Sequence, residues 1–457
     1  MSINRKKLGA VLGVMVAIAI AAASTAGAAQ QSTPGVTKTS VTIGGTFPLS
    51  EPSPPNGASL YKTIAYAEEA YYGYVNAPKN KGGLGGVNGR TINDIILDDQ
   101  YTPSETFAKT KQLVESDHVF AIVGSLGTAT NLATMGYLNN KGVPQALLAT
   151  GDAYWGLCAL KGSAFHPIKN VCTKPKPWTE GWQPDYPGEA QIYAKYILAH
   201  VSHPKIGVLY QNDAYGQNYL AGLAQGLGSH YSDIIGYNKK KNSAPDGAYS
   251  VGESNAQIGA RVGKLEADGA NTFVIFATPG SSIAALATEG ALHWTPSGGT
   301  FLNNVSANRI FMLTAEGSGA HPAGVISSTY IKSQTASQFQ NDPAMALGKQ
   351  IIYATGNAAL KHEWDIGDSN LVYGLAVAWT FVDALKHAGN NPTRASFMKA
   401  LRSLNESGAN KNPFVYPGMV VKSSASRTFP MQQLQLEKWD GTTHDWKTFS
   451  GIYNSGH

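Results

Sequence analysis

Cysteine is nearly absent from this chain: 457 residues carry only Cys158 and Cys172. Two thiols cannot frame a disulfide-built scaffold, and they fall short of the four ligands of a structural zinc site, although His166 lies between them. Charge of either sign is also scarce, with 30 Asp and Glu against 35 Lys and Arg and a net charge of +5. Nothing in that balance supplies a basic stripe, so no nucleic-acid partner is expected. The 11 histidines show no metal-ligand spacing, and no metal is expected. His362-Glu363-Trp364-Asp365-Ile366 lacks the closing histidine of a zinc-protease helix. No Gly-x-Ser-x-Gly elbow occurs. The glycine-rich run 82–89 lacks the Gly-Lys-Ser/Thr ending of a nucleotide loop, and no cofactor is expected. Beyond the N-terminus, no apolar run reaches membrane-spanning length.

What is present begins with a leader. Arg5-Lys6-Lys7 is basic, residues 8–23 are apolar, and Ala26-Gly27-Ala28 is a small-x-small site followed by polar Gln30-Gln31-Ser32. Residues 1–28 therefore read as a secretory signal peptide cleaved near Ala28, which places the mature protein outside the cytoplasm. No cysteine lies near that site, so no lipoprotein anchor is expected. In an exported protein the pair Cys158 and Cys172 reads as a disulfide ahead of metal binding or redox catalysis. Closing so short a loop stabilises by roughly 3 kcal/mol in the chain-entropy account.

The length exceeds one ordinary compact domain, so two lobes are expected. The stretch 119–130, VFAIVGSLGTAT, organises the first. A short apolar run reads as a strand of a parallel sheet, Gly124 to Thr128 turn the chain, and a helical pattern continues to Asn139. A strand, a glycine turn and a hydroxyl-rich helix start form an anion site from free N–H groups and the positive end of the helix dipole. The bland alternative is that Thr128 merely caps the helix. Around this unit, strands are expected at 41–46, 92–98, 143–149, 205–211, 272–277, 309–313 and 431–439. Helices are expected at 57–76, 103–116, 189–200, 215–227, 257–268, 281–292, 371–388 and 393–404. The βαβα alternation predicts an α/β fold with a second parallel sheet. A proline-rich insert, 161–187, carries Trp178 and Trp182, which are expected to pack their own loop, whereas Trp155 and Tyr186 are candidate walls of a cleft. Asp98 and Asp99 end a strand and are expected to hold loop N–H groups rather than do acid–base chemistry.

In order along the chain, VTIGGTFPLS, ILDDQYTP, AIVGSLGT, GVPQALLATG, PWTEGWQPDYPGEAQIYAKYIL, KIGVLYQNDAYGQNYLAGL, TFVIFATPG, MLTAEG and YGLAVAWTFVDALKHAG cover nearly all of the mature sequence. This set resembles the type I periplasmic binding proteins of ABC transporters, in particular the branched-chain amino-acid (leucine/isoleucine/valine) group. The resemblance implies two doubly wound parallel-sheet lobes joined by three crossovers, divided as 36–186 with 334–423 and 187–333 with 424–457. It implies a monomeric, non-enzymatic periplasmic protein. Such a protein captures a small amino acid or related carboxylate between its lobes and passes it to an ABC permease in the inner membrane. A sensory protein of the same fold, a binder of aromatic or aliphatic acids, and more remotely a secreted hydrolase are the alternatives. The family's carboxylate-holding turn matches Leu126, Gly127 and Thr128, and the end of its next strand matches Ala149, Thr150 and Gly151. Its second-lobe aromatic matches Tyr215, and its ammonium-binding acid matches Glu316. Thr278 stands where a tyrosine often follows the TFVIFA-type strand, and Trp155 adds bulk at the cleft edge.

Overall fold

The computed structural model describes residues 33–52, 55–155, 176–424 and 429–454. The expected signal peptide and the pair Cys158 and Cys172 lie outside the described residues.

The first half of the chain builds a sheet and its helices. These are β1 (Ser40–Phe47), α1 (Thr63–Asn76), β2 (Thr91–Asp98), α2 (Pro103–Glu115), β3 (Ile122–Val123), α3 (Thr128–Lys141), β4 (Gln145–Leu148) and β5 (Thr179–Gly181). The second sheet begins after α4 (Tyr186–His200) with β6 (Ile206–Gln211), α5 (Ala214–Leu227), β7 (Ala248–Tyr249), α6 (Asn255–Ala267), β8 (Thr272–Phe276), α7 (Pro279–Ala291), β9 (Thr300–Leu302), α8 (Arg309–Gly317) and β10 (Ile326–Thr329). There follow α9 (Pro343–Ala354), α10 (Ala358–Ile366), α11 (Ser369–His387), α12 (Arg394–Leu401) and the short pair β11 (Asn405–Glu406) and β12 (Val421–Lys422). The hairpin β13 (Gln433–Asp440) and β14 (Asp445–Asn454) closes the chain.

Two sheets result, ordered β2-β1-β3-β4-β5 and β14-β13-β10-β9-β8-β6-β7. The first is wholly parallel. The second is mixed, because β13 runs antiparallel to β10 and β14 antiparallel to β13. The expectation of a purely parallel second sheet is corrected to that extent: the C-terminal hairpin adds two strands to its edge. Helix α11, though distant in sequence, packs on α1 of the first lobe, and Gly374 makes the approach possible. A Cβ there would lie 2.4 Å from the Ile64 carbonyl oxygen. Trp182 is fully buried beside this helix and donates from Nε1 to Thr380 Oγ1 at 3.0 Å.

Residues 309–313 form the start of helix α8 rather than the expected strand. Asn308 caps it by accepting the Ile310 N–H at 3.0 Å, and Phe311, Met312 and Ala315 bury one helical face. The strand of this βα unit is the three-residue β9 (Thr300–Leu302), too short to leave a periodic signal. In the expected strand 119–123 only Ile122–Val123 pairs as β-structure.

The lobes touch through polar contacts. Asp368, the N-cap of α11, accepts from Thr63 Oγ1 and from Asn308 Nδ2, each at 2.6 Å. Tyr61 donates its hydroxyl to the Val305 carbonyl at 3.1 Å. Asn218 of the second lobe accepts the Ala153 N–H at 3.2 Å. Both sheets present their βα turns to this interface, where open α/β sheets place their ligands.

Candidate functional site

The turn after β3 is shaped by side chains that fold back onto it. Ser125 Oγ accepts the Thr46 N–H at 3.0 Å, and Thr130 Oγ1 donates to the Leu126 carbonyl at 2.6 Å. Asn131 Nδ2 donates to the carbonyls of Ser125 and Gly127, at 2.9 and 2.8 Å. Thr130, whose hydroxyl the sequence offers to a ligand, is thus spent on the turn itself. Gly127 has φ 97° and ψ 151°, a region open almost only to glycine. A Cβ on it would meet Thr130 Oγ1 at 2.6 Å and the Tyr101 ring at 2.7 Å.

Gly127, not Thr128, is the N-cap of α3, and no side chain caps its first turn. Thr128 begins the helix, and its hydroxyl pairs with that of Thr150 at 2.6 Å. The turn therefore leaves first-turn N–H groups without a side-chain partner beside Thr128, an arrangement that suits an anion.

Above it lies an interlobe cavity of about 100 Å³. Leu126, Gly127, Thr128, Ala149, Tyr215 and Thr278 all line it. Thr150 stands behind Thr128. Gly151 stays in the backbone frame, its carbonyl accepting the Tyr186 N–H at 2.8 Å. Tyr215, 3% exposed, donates its hydroxyl to the Ala277 carbonyl at 3.1 Å and accepts from Asn303 Nδ2.

Two expected members are elsewhere. Trp155 is fully buried with Met135, Leu148 and Phe429, and its Nε1 donates to the Thr150 carbonyl at 3.2 Å. It is a packing residue behind the strand end rather than a wall of the cavity. Glu316 sits at the end of α8, where its carboxylate accepts from Trp439 Nε1 and contacts His444 Nδ1, each at 2.8 Å. The ammonium role expected of Glu316 is corrected: helix α8 carries it away from the cavity, which it does not line.

The sequence reading missed much of the wall. Tyr61, Tyr101, Tyr330 and Tyr373 supply rings, and Gln183, Asn304, Lys332 and Glu437 supply polar groups. Tyr186 stacks on Tyr219 at 4.4 Å and meets Tyr215 edge-on at 5.1 Å, an aromatic floor continued by Phe276. Tyr186, offered by the sequence as a cleft wall, lines the cavity, while Gln183 was legible only as a member of the quoted segment PWTEGWQPDYPGEAQIYAKYIL. Behind Asn304, buried Glu189 accepts from Tyr193, Tyr219 and the Asn304 backbone N–H, at 2.6, 2.8 and 2.7 Å. Burial raises its carboxyl to about 7, against the lowering effect of these donors. Asp98 and Asp99 hold loop N–H groups as expected, Asp98 from Leu49 at 3.0 Å and Asp99 from Tyr101 at 3.0 Å. No cluster of metal-ligating side chains occurs among the described residues.

The profile of a family described as periplasmic binding protein matches residues 40–442. Among curated proteins nothing matches. Among solved structures, one similar chain is described as a branched-chain amino-acid ABC transporter protein of Thermus thermophilus with bound valine. It is 15% identical, with 92% of this chain and 98% of that one covered and a TM-score of 0.70. Another is a fatty acid ABC transporter substrate-binding protein of Thermomonospora curvata, at 16% identity, 93% and 95% coverage and TM-score 0.67. A leucine-binding protein of Thermotoga maritima matches at 12% identity, 90% and 98% coverage and TM-score 0.62. At such identities the structures share the type I binding-protein fold.

Proposed function

The chain belongs to the periplasmic binding protein family, and on that premise we propose that it captures a small carboxylate solute, amino acids included, and delivers it to the permease of an ABC importer. The observation that carries this reading is the uncapped start of α3, opening with Thr128 into a cavity lined from both lobes. Unsatisfied N–H groups at a helix start favour a carboxylate, and the tyrosine walls accept an apolar body. A solute touching both lobes stabilises the closed arrangement through contacts that an open one lacks. The role is binding, and turnover of a bound solute would overturn it.

Export fits the leader: a basic run, an apolar run and a small-residue site ending near Ala28. The mature chain then works in the periplasm, as a monomer, with Cys158 and Cys172 joined. Mass measurement after alkylation without reduction tests that bond, and two alkylated thiols would refute it. Calorimetry with amino acids and small organic acids tests the site. Binding is expected for at least one carboxylate, with compaction in small-angle scattering at saturation. Binding that is unaffected by removing the Thr128 hydroxyl would count against this turn as the carboxylate seat.

A further inference from the structure

Building on the reading of this cavity as the solute site, we propose that Glu437 receives the cationic end of an elongated solute, a carboxylate bearing an ammonium group far from its carboxyl carbon. The first ground is the cavity's length. Its second-lobe lining comes from successive strands: Tyr215 after β6, Thr278 after β8, Asn304 after β9, Ser328 in β10, Glu437 in β13 and Trp446 in β14. That is the order of the strands across the sheet. Four steps separate β6 from β13, which at ~4.8 Å each span roughly 19 Å. The anion-binding turn lies at the β6 end. A Cβ on Gly127 would touch the Tyr101 ring, and Tyr101 stands beside Asp213 and Gln211, where β6 ends.

The second ground is Glu437 itself. It is the sole carboxylate lining the cavity among the described residues, and it is 7% exposed. Its side chain makes no hydrogen bond or ion pair among the described residues. The cations that line the cavity make no ion pair with Glu437. Lys332 pairs with Asp342 at 2.6 Å, and Arg309 donates to the carbonyls of Ile366 and His444 at 2.5 and 2.8 Å. A buried carboxyl without a partner wants a cation or a proton. Burial, reinforced by Asp445 and Glu189, holds this one well above the usual carboxylate range. An arriving ammonium favours the ionised form, releasing the carboxyl proton to solvent and making a charge-assisted hydrogen bond. The Trp446 ring lines the same end and suits a cation. An α-ammonium, fixed beside its own carboxylate at Thr128, does not reach across the sheet to Glu437. A chain with its ammonium at the far end does, its methylenes running past the rings of Tyr61, Tyr186, Tyr330 and Tyr373.

Calorimetry on the full mature chain tests this with unbranched ω-amino carboxylates from 4-aminobutanoate to 12-aminododecanoate, the matching unsubstituted acids, and leucine. Affinity is expected to peak at one chain length, with the ω-amino acid binding about tenfold tighter than its unsubstituted match. Glu437→Gln should erase that ratio. Wild type should also release a proton with the ω-amino acid alone, seen as a heat that depends on the buffer's ionisation enthalpy. This last readout needs no variant to fold. A preference that survives Glu437→Gln, leucine binding tighter than every ω-amino acid, or no proton release would overturn the assignment of Glu437. Thr128→Ala separates the two readings. Weakening of all carboxylates by Thr128→Ala keeps the solute site even where Glu437 fails. Indifference to Thr128→Ala removes the site and the inference together.

Discussion

The βα turns that face each other across the cleft obey the same local rules and end in opposite states. After β3 the chain enters α3 through Gly127, and no side chain satisfies the first-turn N–H groups. After β6 it enters α5 through Asp213, whose carboxylate accepts the Tyr215 N–H at 3.0 Å and the Gln211 amide at 2.7 Å. The second turn is self-satisfied and carries its own negative charge, so it repels an anion and contributes a ring instead. The first is left open, with its charge demand unmet. What distinguishes the candidate site is what local structure declines to satisfy, since a capped helix start has nothing left to offer a ligand.

The largest break in this contrast comes from Gly127→Ala. The substitution forces a side chain into a backbone region that excludes it and into the Tyr101 ring. A stability loss of about 2–4 kcal/mol is expected in urea denaturation, together with loss of carboxylate binding. Unchanged stability would mean that the turn is not held as described. Next is Thr128→Ala, which leaves the fold nearly intact but removes a hydroxyl at the cavity, paired with Thr150 at 2.6 Å. Carboxylate affinity should fall about ten- to a hundredfold by calorimetry, the worth of one hydrogen bond to a charged group.

Asp213→Ala sharpens the comparison from the other side. Removing the cap should cost about 1 kcal/mol of stability while solute affinity stays near wild type. A large loss of affinity would show that the second turn also holds the solute. A separate test is pH dependence. Burial, with Asp213 adding repulsion and the Tyr154 N–H opposing it, raises the Asp152 carboxyl to about 8. The folded state then holds a proton that the unfolded chain releases near pH 4. The stability this group contributes is full below that pH and is lost as pH rises toward 8. The thermal midpoint should decline from pH 5 to pH 8, and Asp152→Asn should flatten part of the slope. A midpoint that rises over this range would contradict the sign.

Much of this was legible in the residues because it depends on neighbours in sequence. The βα units of both lobes and the glycine turn that enters the helix at 127 follow from local backbone chemistry. The misreading at 309–317 had a local cause as well. RIFML is apolar enough for a strand, and the helix shows only in Asn308 as cap and in the spacing of Phe311, Met312 and Ala315. Glu316 followed it into error, since at a strand end it would face the cleft, whereas at a helix end it meets Trp439 and His444.

Glu437 marks the boundary between the two kinds of information. In the strand Gln433–Asp440 it shares a face with Gln433, Gln435 and the buried Trp439, and the run of three polar side chains on that face reads as solvent-facing. The sequence alone determined the alternation, the strand and the side on which each residue stands. Only the tertiary structure decided that β13 lies beside β10, so that Glu437 opposes Ser327 and the cavity between the lobes covers this end of the polar face. Which surface meets a face is settled by contacts between residues hundreds of positions apart. The periodicity within a strand is the same whether that surface is water or a solute.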